Sequence, residues 1–332
     1  MKINIYNLEK ILIIELKGLS NPFFKFNNLK GGTSMLKYLL IIIIVILLIY
    51  LLIVYSLFKQ TFLRDDNIKI TEDFHLLGIN NMNTMSYQKH YITSSDNLKL
   101  SARYYKVEEP KRIVLAVHGY KGFGIKDMGV YSTFFMKENS NYFVIDHRAH
   151  NDSEGTYITM GSKEKYDLKQ WIEYINTINP INLPIYILSV SMGSATSLQC
   201  IGLELPSNVK GLIADSGYTS TEDIIKRTLK SKFSVQGNLT CRIANLFCKL
   251  IGKFSIYDSN TINYLNKTTI PVLFIHGLSD DFVPPYMSQE NFDQCNSEKE
   301  IHYVNKAKHC MSYIVEKDNY EYWVKKFIEK TK

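Results

Sequence analysis

The chain has 332 residues, 45% hydrophobic and 21% charged, with a net charge of +7 at pH 7, a balance that suits a folded protein and excludes wholesale disorder. Its 39 Lys and Arg are spread without a dense basic run, so the electrostatic footprint of a nucleic-acid binder is missing and no nucleic-acid partner is expected. The cysteines (Cys200, Cys241, Cys248, Cys295 and Cys310) form no C-x-x-C pair, which leaves zinc and thioredoxin-type chemistry without support and reads them as small buried hydrophobes.

Residues 1–34 show no clear domain pattern and are expected to be an extension of doubtful status. Lys30-Gly31-Gly32 is encodable as AAGGAGG, a ribosome-binding sequence a few codons ahead of Met35, which makes Met35 the expected start. From Tyr38 to Phe58 the chain reads YLLIIIIVILLIYLLIVYSLF, between Lys37 and Lys59. An apolar helix of about 20 residues spans the ~30 Å hydrocarbon core of a bilayer. The run is longer than the apolar region of a cleaved signal peptide and lacks its small-residue cleavage site. A single-pass transmembrane anchor over 36–58 is therefore expected, with the protein in the cell membrane. Lys30 and Lys37 on one side, against Lys59 and Arg64 on the other, give little positive-inside asymmetry. A short tail ahead of a lone anchor usually stays in the cytoplasm, so the large domain is expected outside it.

Thr61 to Ser86 reads as a polar stretch. Residues 87–107, YQKHYITSSDNLKLSARYYKV, predict a β-hairpin, because runs rich in β-branched and aromatic residues flank the turn formers Ser95, Asp96 and Asn97. RIVLAVHG (112–119) is a nearly continuous apolar run, the pattern of a strand buried on both faces of a parallel sheet. NYFVID (141–146), PIYILS (184–189), VKGLIAD (209–215) and IPVLFIHG (270–277) repeat that character. Leu168, Trp171, Ile172, Ile175 and Ile178 recur at spacings of one helix face within 163–178. Tyr320, Trp323, Val324, Phe327 and Ile328 do the same within 312–328, and both stripes are core-facing. Strand and helix in alternation imply an α/β domain over 61–332, a mostly parallel sheet with helices on both faces. Residues 218–269 interrupt the alternation with two short helical patterns, TEDIIKRTL and RIANLFCKLIG. Open α/β sheets bind ligands beyond the C-terminal ends of their strands, so this insertion is expected to cap the site.

Chemically capable residues fall at those strand ends. His118-Gly119-Tyr120 follows the first buried strand, and Asp280 and Asp281 lie just beyond LFIHG. His309 closes IHYVNKAKH. Between them, Ser189-Val190-Ser191-Met192-Gly193 is one residue from the G-x-S-x-G elbow that presents a nucleophilic serine on a sharp strand-to-helix turn. Serine serves at 189 if that position demands small size rather than positive φ, and Gly193 keeps the second glycine. The chain order nucleophile, acid, histidine is that of the α/β-hydrolases.

On these residues the sequence resembles the membrane-anchored α/β-hydrolases of the Bem46-like and serine-aminopeptidase-like group over most of 87–329. VHGYKGFG resembles the family's oxyanion segment, IDHRAHNDSEG its D-x-R-G-H-G loop, and SVSMGSAT its elbow. HGLSDDFVP resembles its acid segment and NKAKHC the one carrying its histidine. Ala149 and Asn151 stand where the loop usually has glycine, so its backbone is expected to differ slightly. The resemblance implies an α/β-hydrolase fold with a short helical cap, preceded by one transmembrane helix.

Each expected role has a physical reason. A serine hydroxyl becomes nucleophilic when an imidazole takes its proton, so Ser191 is the expected nucleophile and His309 its base. A buried carboxylate, Asp280, fixes the tautomer of that histidine. Preorganised donors for the oxyanion are expected from the backbone N–H groups of Met192 and Tyr120, supported by His118 and Gly193. No metal or organic cofactor is required. Ser189 is an alternative nucleophile, but it lies within its strand; Asp215 and Asp281 are alternative acids. Asp146, His147 and His150 share one loop without further clustered metal ligands. His118 orders the oxyanion loop, His276 ends its strand, and His75, His90 and His302 belong to no constellation. The expected activity is hydrolysis of an ester or thioester through an acyl-enzyme, on a small-molecule, lipid-like or acylated substrate near the membrane. A peptidase of the same fold and a non-catalytic binding descendant are the alternatives.

Overall fold

The computed structural model describes residues 32–68, 70 and 72–332. The expected extension over 1–34 therefore falls outside the described residues except for its last three positions. The chain divides into one unit ending at Ile53 and a second from Val54 to Lys332. Helix α1, Gly32–Phe62, carries the apolar run; Met35–Phe62 is long and apolar enough to cross a membrane, with mean hydropathy 3.3. Its side chains from Met35 to Ile49 are exposed. Val54, Phe58 and Phe62 behave differently: all three are buried in the core of the second unit.

That unit is built on an eight-stranded sheet ordered β1-β2-β4-β3-β5-β6-β7-β8. The expected hairpin is β1 (Gln88–Thr93) with β2 (Lys99–Tyr105), and β2 pairs antiparallel with β4 (Ser140–Ile145). The other neighbours are parallel: β3 (Arg112–Val117), β5 (Ile185–Val190), β6 (Val209–Asp215), β7 (Val272–Gly277) and β8 (Lys299–Val304). Alternation along the strands divides the core in two. Ile113, Leu115 and Val117, with Ile185 and Ile187, pack on one face against Leu168, Trp171, Ile172 and Ile175 of the helix Glu164–Thr177. Val114, Ala116, Tyr186, Leu188 and Ile213 pack on the other, against the helices Gly124–Lys137 and Lys317–Lys330.

Several elements differ from expectation. The polar stretch 61–86 contains a helix, Asp73–Thr84, which buries only Gly78 and Met82 and so shows almost no apolar stripe. The helix Gly124–Lys137 carries two glycines and mixed small residues, which blur its period. The predicted 312–328 helix is broken at Glu316 into Ser312–Val315 and Lys317–Lys330. Between β6 and β7 lie the cap helices Thr221–Phe233 and Asn238–Phe247, a π-helical turn Cys248–Gly252, and short turns at Ile256–Asp258 and Ile262–Leu265. His118, Ser191, Asp280 and His309 each follow the C-terminal end of a parallel strand.

Candidate active site

Ser191 is the single residue between β5 and the helix Met192–Cys200. Its backbone stands at φ 52° and ψ −118°, a region that costs a non-glycine residue about 1–3 kcal/mol and persists only where its surroundings over-determine it. Those surroundings are visible: the Ser191 N–H donates to the Asp215 carbonyl (2.9 Å) and the Ala195 N–H donates to the Ser191 carbonyl (3.0 Å). A Cβ on Gly193 would overlap the carbonyl oxygens of Val117 and His118, so glycine is what lets the helix approach β3. Ser189 lies within its strand without positive φ, fully buried, its hydroxyl donating to the Ile213 carbonyl. Small size is therefore what position 189 requires.

The Ser191 hydroxyl lies 2.8 Å from His309 Nε2, and His309 Nδ1 lies 2.7 Å from Asp280 Oδ2. An ionised carboxylate only accepts, so the imidazole carries its proton on Nδ1 and presents Nε2 as an acceptor to the serine. Asp280 is buried, which by itself raises its pKa. Hydrogen bonds from His276 and His309 outweigh that and bring it down to about 2, helped by the Val283 N–H. His276 is the residue whose part sequence reasoning missed. Its Nε2 lies 3.2 Å from Asp280 Oδ2 and 2.8 Å from the Val283 carbonyl, while Nδ1 accepts from Ser288. The H-G pair immediately ahead of the acid segment's variable positions was the one signal for it. Neither alternative acid meets His309: Asp215 accepts from the Ser216 and Ser312 hydroxyls, and the Asp281 carbonyl accepts from Arg227.

Opposite His309, Met192 opens its helix, so its N–H is among those with no intrahelical acceptor. A Cβ on Gly119 would stand 3.4 Å from Ser191 Cβ, so the loop carrying Tyr120 runs beside the serine. Two histidines hold that loop. His118 Nδ1 donates to the Gly119 carbonyl (2.7 Å) and its Nε2 accepts from the His147 N–H (2.9 Å). Because the peptide is planar, fixing the Gly119 carbonyl also fixes the opposite direction of the Tyr120 N–H. His150 likewise bonds the Arg148 carbonyl through Nδ1 and accepts the Lys121 N–H at Nε2. Burial, reinforced by the neighbouring histidines, keeps His118 far below its ordinary pKa and therefore neutral. The loop from Asp146 to Gly155 supplies these braces with Ala149 and Asn151 at φ 58° and 44°. Both positions, where the sequence resemblance implies glycine, thus stand in the left-handed region with other residues. Asn151 also donates to Asp146 (2.8 Å), and Arg148 is held between Asp167 and Asp96.

The walls differ in character. Met192 belongs to an apolar cluster with Phe58, Phe62, Ile158, Met160, Tyr218 and Val283. A separate polar cleft of about 600 Å³, which none of the residues Ser191, His309 and Asp280 lines, is formed by Asp223, Lys226, Arg227 and Lys230 with Tyr286 and Glu290. Arg227 ties it to the site through the Asp281 carbonyl, next to Asp280. The Phe282 ring packs edge-on to His309 at 5.1 Å.

Residues 108–246 match the family described as serine aminopeptidase, S33. The chain is 26% identical over 200 residues to the uncharacterized protein YqkD of Bacillus subtilis (strain 168), an alignment covering 60% of this chain and 65% of YqkD. It is 25% identical over 232 residues to the protein Bem46 of Schizosaccharomyces pombe, covering 68% and 71% of the two chains. Among solved structures it is similar to the Pyrococcus furiosus esterase Pf2001, with a TM-score of 0.62 at 22% identity over 82% of this chain and 97% of the esterase. The chain has the α/β-hydrolase fold and resembles the Bem46-like, serine-aminopeptidase-like hydrolases in sequence.

Proposed function

We propose that this protein is a membrane-anchored serine hydrolase that cleaves an ester or thioester through an acyl-enzyme on Ser191. The observation that carries the reading is the unbroken hydrogen-bond chain from Ser191 through His309 to Asp280. In the first step the Ser191 hydroxyl oxygen attacks the acyl carbonyl and its proton passes to His309 Nε2. Asp280 holds the imidazolium by its Nδ1–H. The oxyanion accepts from the N–H groups of Met192 and Tyr120, and His118 and Gly193 position the two segments that carry them. The alkoxide or thiolate leaves with the proton from His309. Water, deprotonated by the same nitrogen, then releases the acid and restores the serine.

Retention of the apolar helix is supported by its last turns: removing it would empty the core positions of Phe58 and Phe62. An extracytoplasmic hydrolase domain is the orientation proposed, read by protease shaving of intact cells. A peptidase is the second reading, favoured by the similarity to the serine aminopeptidase family. Full-length protein in detergent is to be assayed on short- and long-chain acyl esters, acyl thioesters and aminoacyl anilides. Turnover of esters or thioesters, lowered by about 10⁴-fold or more in Ser191→Ala, is expected. Anilides cleaved faster than every ester would move the assignment to the peptidase, and ester turnover surviving in Ser191→Ala would remove Ser191 from its role.

A further inference from the structure

The cap carries an outward apolar face that the proposed chemistry leaves unexplained. Leu239, Ile243, Leu246 and Leu250 recur at spacings of four, three and four along Asn238–Phe247 and the following π turn, one side of the helix. The opposite side is the buried one, with Cys241, Ala244 and Asn245. Leu239, Leu246 and Leu250 are each more than half exposed, and Phe233, Val235 and Ile251 add exposed apolar side chains in the adjoining chain. Folded proteins rarely leave so continuous an apolar patch to water.

Two further observations say what covers it. Arg242 and Lys249 are exposed along one flank of the stripe and Lys253 at its end, a basic margin of the kind that meets anionic headgroups. On the other flank, Phe247 packs against Tyr55 (5.3 Å) and Phe58 (6.0 Å), residues of the same apolar helix that is long enough to cross a membrane. The stripe is thus continuous with the base of that helix.

We infer that the cap segment from Asn238 to Lys253 docks into the interface of an anionic phospholipid bilayer, with Leu239, Leu246 and Leu250 among the acyl chains and Arg242, Lys249 and Lys253 on the headgroups. An amphipathic helix in this setting lies in the membrane plane with its apolar face about 5–10 Å deep. Gln236 and Asn238, at the start of this segment, also line the polar cleft, so the docked face and the cleft share one part of the cap. A substrate with a long acyl chain then enters from the bilayer. The inference rests on reading Met35–Phe62 as an anchor, and it deepens the proposed function by naming where substrate comes from.

The test uses full-length protein reconstituted into vesicles of phosphatidylcholine and phosphatidylglycerol. Leu250→Cys carries a nitrobenzoxadiazole label, Ile181→Cys at the far edge of the sheet carries the reference label, and wild type reports background labelling. Lipids with a doxyl group on the acyl chain are expected to quench the label at 250 several-fold more than the one at 181. Combining Arg242→Glu, Lys249→Glu and Lys253→Glu is expected to abolish that difference at physiological salt. Equal quenching at both positions overturns the inference, as does a shielded label at 250 that appears only as the protein self-associates. Quenching does not depend on catalysis, so Ser191→Ala is expected to quench like wild type, and a failed hydrolase assignment leaves this result readable.

Discussion

His118 shows how a residue outside the reaction is expected to govern it. Its two nitrogens hold the Gly119 carbonyl and the His147 N–H, and through the former the direction of the Tyr120 N–H. His118→Gln keeps an amide near the Nε2 position but loses the bond to Gly119. Removal of one oxyanion donor costs about 10²–10³ in kcat, so a loss of that order with little change in KM is expected on the best ester substrate. An equal rise in KM with kcat intact would mean that His118 shapes binding instead. Asp215 makes a second case at this scale. Burial pushes its carboxyl up to about 6, two serine hydroxyls share Oδ1, and Oδ2 has no partner. The folded pKa lies above the unfolded one, so the stabilising protonated form is complete below about pH 4 and its contribution is lost as pH rises through about 6. A shift of that size corresponds to about 3 kcal/mol. Asp215→Asn is expected to flatten the fall in stability between pH 4 and pH 7 and to unfold at higher urea at pH 7.5. An unchanged pH dependence would show that the charge is accommodated. Residues whose chemistry fixes their type, such as Ser191, His309 and Gly193, were legible in sequence. His276 and the burial of Asp215 were not, because both depend on partners far along the chain.

At the scale of elements, buried strands were the most legible, since each is an apolar run between turn formers. The helices Asp73–Thr84 and Gly124–Lys137 were not, because they cross closely at Gly78 and Gly129 in place of burying a wide apolar stripe. The last turns of the apolar helix were also hidden. Phe58 read as the end of the membrane span and Phe62 as part of a polar stretch, yet they pack on Phe247 and Phe254 of the cap, and the Tyr120 hydroxyl donates to the Thr61 carbonyl (2.7 Å). Phe58→Ala removes a fully buried ring, so a loss of about 3–5 kcal/mol is expected. In detergent this should appear as a lowered thermal midpoint with earlier proteolysis of the cap. A variant as stable and as resistant as wild type would show that the helix end merely rests on the cap.

For the whole molecule, parallel topology brings six strand ends to one edge, and that is what unites residues 118, 191, 280 and 309 from distant parts of the chain. The sequence order of these residues was legible, whereas the polar cleft and the exposure of the cap's apolar stripe follow from packing that no local pattern encodes. The central claim is an activated Ser191. It is tested most directly by exposing full-length protein in detergent to a fluorophosphonate and measuring intact mass, with Ser191→Ala alongside. One adduct per wild-type chain and none on the folded variant is the predicted result. Folded wild type that stays unmodified, or an adduct that persists on Ser191→Ala, would contradict the account.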